Sequence, residues 1–60
     1  MTPLKDQIAE IKRELHFRAR VYPGLVSRGK MTQLDADKHT QRMQDVLATL
    51  ESLQNGERLL

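Results

Sequence analysis

The segment RARVYPGLVSRGKMT, residues 18–32, separates two long stretches whose apolar residues recur with the spacing of an α-helix. Pro23 lacks an amide donor and disfavours a helical backbone at Tyr22, so a first helix is predicted to end just before it. Six residues later, Gly29 is the residue type that most often ends a helix in the left-handed conformation. Between these two stops we predict one short helical turn over residues 23–28.

Upstream of this segment the sequence predicts a helix over residues 3–21. Thr2 is expected to cap it with its hydroxyl group, and Pro3 suits the first helical position. Side chains spaced alternately four and three residues apart form one stripe along this helix. The stripe consists of Leu4, Ile8, Ile11, Leu15, Arg18 and Tyr22.

Downstream of the segment the sequence predicts a second helix over residues 33–54. Thr32 is a suitable N-cap because its hydroxyl can accept a hydrogen bond from the amide of Asp35. Gly56 marks the expected end of this helix, and residues 56–60 are predicted to form a frayed tail. The predicted stripe consists of Ala36, His39, Met43, Val46, Leu50 and Leu53, widened by Leu47.

Two long helices with a short connection must pack antiparallel, which predicts an all-α helical hairpin as a single domain over residues 1–60. A chain of 60 residues buries only about 60% of the surface that its unfolded form exposes. It contains no cysteine, so no disulfide or thiolate metal site can add stability. We therefore expect a homodimer in which two hairpins form a four-helix arrangement.

The net charge of +2 is unevenly distributed along the chain. Between Lys12 and Lys30 there are six basic residues against Glu14 alone, which gives this part a charge of +5 and the remainder −3. The six are Lys12, Arg13, Arg18, Arg20, Arg28 and Lys30. Such a basic end fits phosphates or an acidic protein surface, and it is also typical of a solvated face near a helix C-terminus.

Phe17 is the most informative single side chain, because a two-helix hairpin cannot bury it. At 100° per residue it falls about 140° from the centre of the stripe of the first helix, and in the sequence it lies between Arg13 and Arg20. Aromatic and arginine side chains together are the composition of interface hot spots. The predicted partner-binding residues are Arg13, Phe17, Arg20, Tyr22 and Arg28. In the alternative, Phe17 fills the homodimer interface and the arginines alone remain for a partner.

The sequence offers little that could carry catalysis or hold a cofactor, and we expect neither. It has no glycine-rich phosphate loop and no supported nucleophile, and a thin hairpin has no concave site of enzyme size. Asp35 and His39 have the spacing of two zinc ligands, with His16 as a distant third. Since His39 lies at the margin of the predicted stripe, we expect an ordinary hydrogen-bonded histidine and no metal site.

The sequence also shows no signal peptide and no apolar run that approaches the ~20 residues of a membrane span. We therefore expect a cytoplasmic protein without membrane contact. Nucleic acid is the alternative partner, because the basic end could contact phosphates while Phe17 and Tyr22 stack on bases. Against this alternative, the connection between the helices is too long for a helix-turn-helix, and the second helix carries several acidic residues.

The chain resembles a group of small, poorly characterised proteins of tailed bacteriophages and prophages. Their recurring pattern is approximately E-L-x-x-R-x-x-V-Y-P-x-x-V-x-x-G-K-M-T, followed by an Ala and a Met on a helix. The matching residues are Glu14-Leu15, Arg18, Val21-Tyr22-Pro23, Val26, Gly29-Lys30-Met31-Thr32, Ala36, Met43, Val46-Leu47 and Thr49-Leu50. A looser similarity to SHOCT-type helical modules, over residues 25–50, suggests oligomerisation.

The resemblance implies a phage origin and brings no established activity. Phages commonly use small helical proteins, without enzyme activity, to bind and redirect or inhibit a component of the host or of the phage. The expected function is therefore a stoichiometric protein-interaction role in the cytoplasm of a bacterial host. Where relatives often carry basic residues after the proline, this sequence has Gly24 and Leu25, which weakens a nucleic-acid role carried over from them.

Overall fold

A computed structural model describes residues 1–56 as two α-helices joined by a five-residue loop. α1 spans Leu4–Ser27 and α2 spans Gln33–Gln54. The two helices pack along each other, and Lys12 Nζ of α1 lies 3.6 Å from Glu51 Oε2 near the end of α2. This arrangement confirms the predicted all-α antiparallel hairpin. The predicted frayed tail lies outside the described residues, except for Gly56.

The predicted break at Pro23 is wrong, because α1 continues through this residue to Ser27. Proline removes only one hydrogen bond of the helix, the one that its amide would donate to the carbonyl of Ala19. The segment after Pro23 stays helical because it is fixed by packing: Val26 lines the cleft between the helices together with Ala36. Residues 23–27 are therefore the last part of α1 and not a separate turn.

Gly29 has the predicted left-handed conformation, with a positive φ of 71°, but the element that it ends is α1 itself and not a separate short turn. The amide of Lys30 donates to the carbonyl of Leu25 at 2.9 Å, and the amide of Gly29 donates to Val26 at 3.1 Å. These two bonds form the Schellman motif, which satisfies the last free carbonyls of a helix. The local signal at Gly29, and not the proline, sets where the first helix stops.

The start of α1 differs in detail from the prediction. Pro3 occupies the N-cap with ψ 147°, and no side chain caps the helix. Because the backbone at Pro3 is extended, Thr2 lies one residue too far out for its hydroxyl to reach the free amides. Instead, the amides of Asp6 and Gln7 donate to the Pro3 carbonyl, and Gln7 Nε2 donates to the carbonyl of Thr2 at 2.7 Å.

The start and end of α2 follow the prediction. The hydroxyl of Thr32 accepts a hydrogen bond from the amide of Asp35 at 3.0 Å, so it satisfies one of the helix's free donors. At the other end Asn55 is the C-cap, and Gly56 has a φ of 74°. Both ends of this helix are therefore determined by local backbone chemistry that the sequence displays.

The core of the hairpin is small. Among the described residues only Ile8 and Ala36 are buried, with 5% and 4% of their surface exposed, and no side chain is fully buried. The other members of the predicted α1 stripe are half-buried against α2. A core of this size leaves much apolar surface in contact with water, as expected for a domain that needs further packing to be stable.

The packing face of α2 is rotated from the predicted one. Besides Ala36, the half-buried residues of the facing stripe are Thr40, Met43, Leu47 and Leu50. Three members of the predicted stripe, His39, Val46 and Leu53, are exposed. Both stripes have helical spacing and share four residues when the predicted widening by Leu47 is included, so the sequence permits either one. The hairpin uses the stripe that includes the polar Thr40.

Candidate functional site

The side of α1 that points away from α2, which we name the rear face, carries the exposed aromatic residue. Phe17 has 60% of its surface exposed, near the middle of the helix. Arg13 and Arg20 lie one turn before and after it, and both are exposed. The structure therefore brings together three of the five residues predicted to bind a partner.

A shallow groove runs along the rear face around Phe17. Its lining includes three residues that the predicted partner-binding set lacks: Glu14, His16 and Val21. All of them belong to α1 and lie within four residues of Phe17, so helical spacing alone could have found them. The lining combines the apolar side chains of Phe17 and Val21 with flanking arginines, and the groove is open to solvent.

The basic residues of α1 differ in how far they are neutralised. Arg13 Nη1 donates to Glu10 Oε2 at 3.2 Å, and Lys12 lies 3.6 Å from Glu51 across the hairpin. Within residues 1–56, neither Arg20 nor Arg28 forms an ion pair. The charge available for a partner is therefore concentrated toward the C-terminal half of α1.

Arg28 lies at the C-cap of α1, and its side chain turns back along the rear face. A Cβ atom built on Gly24 would lie 3.6 Å from Arg28 Nη1, which places the guanidinium directly over this glycine. The absence of a side chain at Gly24 leaves the space that the guanidinium occupies. The guanidinium of Arg28 therefore joins the same face as Phe17, about two helical turns further along.

Tyr22 lies in the predicted stripe and not on the rear face, although it was also predicted as a partner-binding residue. It lines a small cleft between the helices together with Ala36 and Asp37. Because α1 continues through Pro23, Tyr22 keeps its position in the stripe that faces α2. The aromatic pair expected to stack on bases is therefore split between two sides of the molecule.

Next to Tyr22, Arg18 packs along the hairpin and is held by a carboxylate. It donates a hydrogen bond to Glu14 one turn earlier, and its side chain is 30% exposed. The bond to Glu14, followed by the effect of Tyr22, raises the pKa of the Arg18 guanidinium, while its partial burial opposes this shift. Arg18 thus serves hairpin packing, as its place in the predicted stripe implies.

The histidines and carboxylates do not converge on a metal site. Across the described part of the chain, no three side chains of His, Cys, Asp or Glu lie close enough together to hold a metal ion. Asp35 and His39 are both exposed on α2, and the distant His16 lies on the rear groove of α1. Neither described helix is long and apolar enough to cross a membrane.

Comparison with known proteins gives no family for this chain. No protein-family model, curated protein or solved structure matches it significantly. The function must therefore be argued from the surface of the hairpin itself.

Proposed function

We propose that this chain is a small, non-catalytic interaction protein that binds an acidic surface of another protein through the rear face of α1. The observation that carries the proposal is the exposed Phe17 between Arg13 and Arg20 on a helix face that the hairpin leaves uncovered. Aromatic and arginine side chains together are the usual composition of an energetic centre in an interface.

The chemistry of this face favours a carboxylate-bearing partner. The guanidinium of Arg20 is exposed and has no ion-pair partner within residues 1–56, so its planar donors are available to a carboxylate. Phe17 would supply apolar area beside these donors, which removes water from the ion pairs and strengthens them. Tyr22 does not take part directly, because it faces the cleft between the helices.

The proposed biological setting is a tailed bacteriophage or prophage, acting in the cytoplasm of the bacterial host. Its support is the resemblance of residues 14–50 to small phage proteins. In that setting the protein would bind a host or phage protein stoichiometrically and redirect or inhibit it. We further propose that it acts as a homodimer, because the hairpin alone buries only two residues among those described.

The test is a pull-down from bacterial lysate with the tagged protein, with and without nuclease. We expect Arg20→Glu to abolish capture of a specific protein, since it places a negative charge against an acidic surface. The matched control is Arg42→Glu, because Arg42 is also exposed and has no ion pair in the described chain, but lies on α2. Equal capture by the wild type and both variants would contradict the proposal.

Nucleic acid is the second candidate partner, because Arg20, Arg28 and Lys30 carry no ion pair within the described residues. Binding to phosphates would release counterions and weaken steeply as the salt concentration rises. Loss of capture after nuclease treatment, with such a salt dependence, would favour this candidate. Retention of capture would favour the acidic protein.

A further inference from the structure

The rear face carries negative charge on the N-terminal side of Phe17 and positive charge on its C-terminal side. At 100° per residue, five residues fall within about 20° of one line along α1. In chain order they are Asp6, Glu10, Phe17, Gly24 and Arg28. The line is acidic toward the N-terminus and basic toward the C-terminus, with the exposed aromatic residue at its centre.

Distances along the helix make this arrangement self-complementary. Glu10 and Gly24 are each seven residues from Phe17, or about 10 Å at 1.5 Å per residue. Asp6 and Arg28 are each eleven residues away, or about 16 Å. Reversing the direction of α1 about Phe17 therefore places each acidic residue opposite a residue of the basic half. A surface that is complementary to itself on reversal is what a two-fold symmetric contact requires.

We infer that a second copy of this chain packs antiparallel on the rear face of α1, with the two Phe17 side chains at the two-fold axis. Resting on the proposed function, we also infer that this dimer, and not the single chain, presents the arginines to the acidic partner. In this register Glu10 of one copy lies opposite Gly24 of the other. The Arg28 guanidinium occupies the space over Gly24, so it meets the Glu10 carboxylate across the interface.

The glycine also explains how the Arg28 guanidinium can lie between the α1 helices of the two copies. Gly24 has no side chain, and only the flexible end of Arg28 lies within 4 Å of where its Cβ would be. Glu10 already accepts a hydrogen bond from Arg13 of its own chain at 3.2 Å, and its carboxylate has free lone pairs for a second arginine. The contact therefore forms without breaking an ion pair of the hairpin.

The same packing creates a site that a single chain does not have. Arg13 and Arg20 lie on one flank of the line through Phe17, about 40° and 60° from it. In an antiparallel pair, side chains on the same flank of the two helices face each other, so Arg13 of one copy comes next to Arg20 of the other. Four arginines then border one edge of the Phe17 contact, and carboxylates of an acidic protein segment would relieve their mutual repulsion.

A charge exchange between two single variants tests the register. Glu10→Arg and Arg28→Glu each replace two ion pairs of the dimer by two like-charge contacts, and we expect each to raise the dimer Kd about tenfold. When the two variants are mixed, every one of these contacts becomes an opposite-charge contact in the heterodimer. Native mass spectrometry separates the species, because the variants differ in mass. We expect the heterodimer to exceed both homodimers.

Two controls keep this test specific. Far-ultraviolet circular dichroism must show unchanged helicity, since both substitutions are at exposed positions. Phe17→Ser is expected to weaken the dimer at least about tenfold, whereas Leu34→Ser, at a similarly exposed leucine on α2, should leave its Kd unchanged. If the mixed variants form homodimers and heterodimers in statistical proportions, the inference is overturned. A wild type that stays monomeric and helical at high micromolar concentration would also overturn it.

The arginine edge is tested separately with a short poly-glutamate peptide. We expect the peptide to lower the dimer Kd of the wild type and to have no effect on Arg20→Glu, because the peptide binds only the assembled edge. As the control, the peptide is expected to lower the dimer Kd of Arg42→Glu as much as that of the wild type. If the peptide does not change the Kd of the wild-type dimer, the site formed by the arginines of both copies is overturned. Lysate capture by a wild type that stays monomeric would overturn the dimer and leave only the proposed binding of an acidic protein standing.

Discussion

Replacement of Gly29 should reveal how much of the hairpin's stability depends on one left-handed residue. Gly29 has a φ of 71°, and a Cβ built on it would meet no atom within 4 Å. Steric crowding by neighbours is therefore absent, and the effect of a side chain comes from the backbone conformation alone. A residue with a Cβ in this conformation costs about 1–2 kcal/mol.

The expected free energies of unfolding follow the shape of the new side chain. Gly29→Ala should lower the free energy of unfolding by about 1 kcal/mol, and Gly29→Val by about 2 kcal/mol, because a β-branched residue is the least tolerant of positive φ. Gly29→Asn should cost only about 0.5 kcal/mol, since Asn adopts this conformation more readily. For a domain of this size, 1 kcal/mol corresponds to a shift of about 4–8 °C in Tm.

Urea and thermal unfolding, followed by circular dichroism, measure these differences. All variants must be compared at one protein concentration, because the stability of a dimer depends on its concentration. The order glycine, asparagine, alanine, valine from most to least stable is the result that we expect. Equal stability of Gly29→Val and the wild type would refute the role of Gly29 in ending α1.

Three further substitutions test the packing and the caps of the hairpin by urea unfolding. Pro23→Ala should raise the free energy of unfolding by about 1–3 kcal/mol, because it restores the hydrogen bond to Ala19 inside a continuous helix; a loss of stability would show that the proline is needed. Ile8→Ala should cost about 2–4 kcal/mol, while the exposed Leu34→Ala should change the value by less than about 0.5 kcal/mol. Thr32→Ala should cost about 1 kcal/mol and Thr32→Ser almost nothing, since serine keeps the capping oxygen; equal losses would argue against the cap.

The places of the predicted partner-binding residues on α1 could be read only in part from the sequence, and the reason is where the helix ends. The positions of Arg13, Phe17 and Arg20 on one face follow from helical spacing. Tyr22 was predicted both as a member of the α1 stripe and, next to the expected turn, as a partner-binding residue. Since the helix continues, Tyr22 stays in the stripe that faces α2.

The sequence by itself determined the features that depend on a few neighbouring residues. These are the two helices, the cap at Thr32 and the left-handed end at Gly29, each of which is set by backbone hydrogen bonding or by the allowed values of φ. The exposure of Phe17 also follows from the sequence, because a helix position opposite the packing stripe cannot reach a single neighbouring helix.

Tertiary structure decided what local rules left open. The packing face of α2 contains Thr40 and leaves out Val46 and Leu53, because two stripes of equal helical period compete and only contact with α1 selects one. Packing also decided that Pro23 lies inside a helix, since contacts around Val26 offset the loss of one hydrogen bond. Both outcomes depend on all the contacts between the two helices together. They therefore cannot be predicted from the type of any single residue.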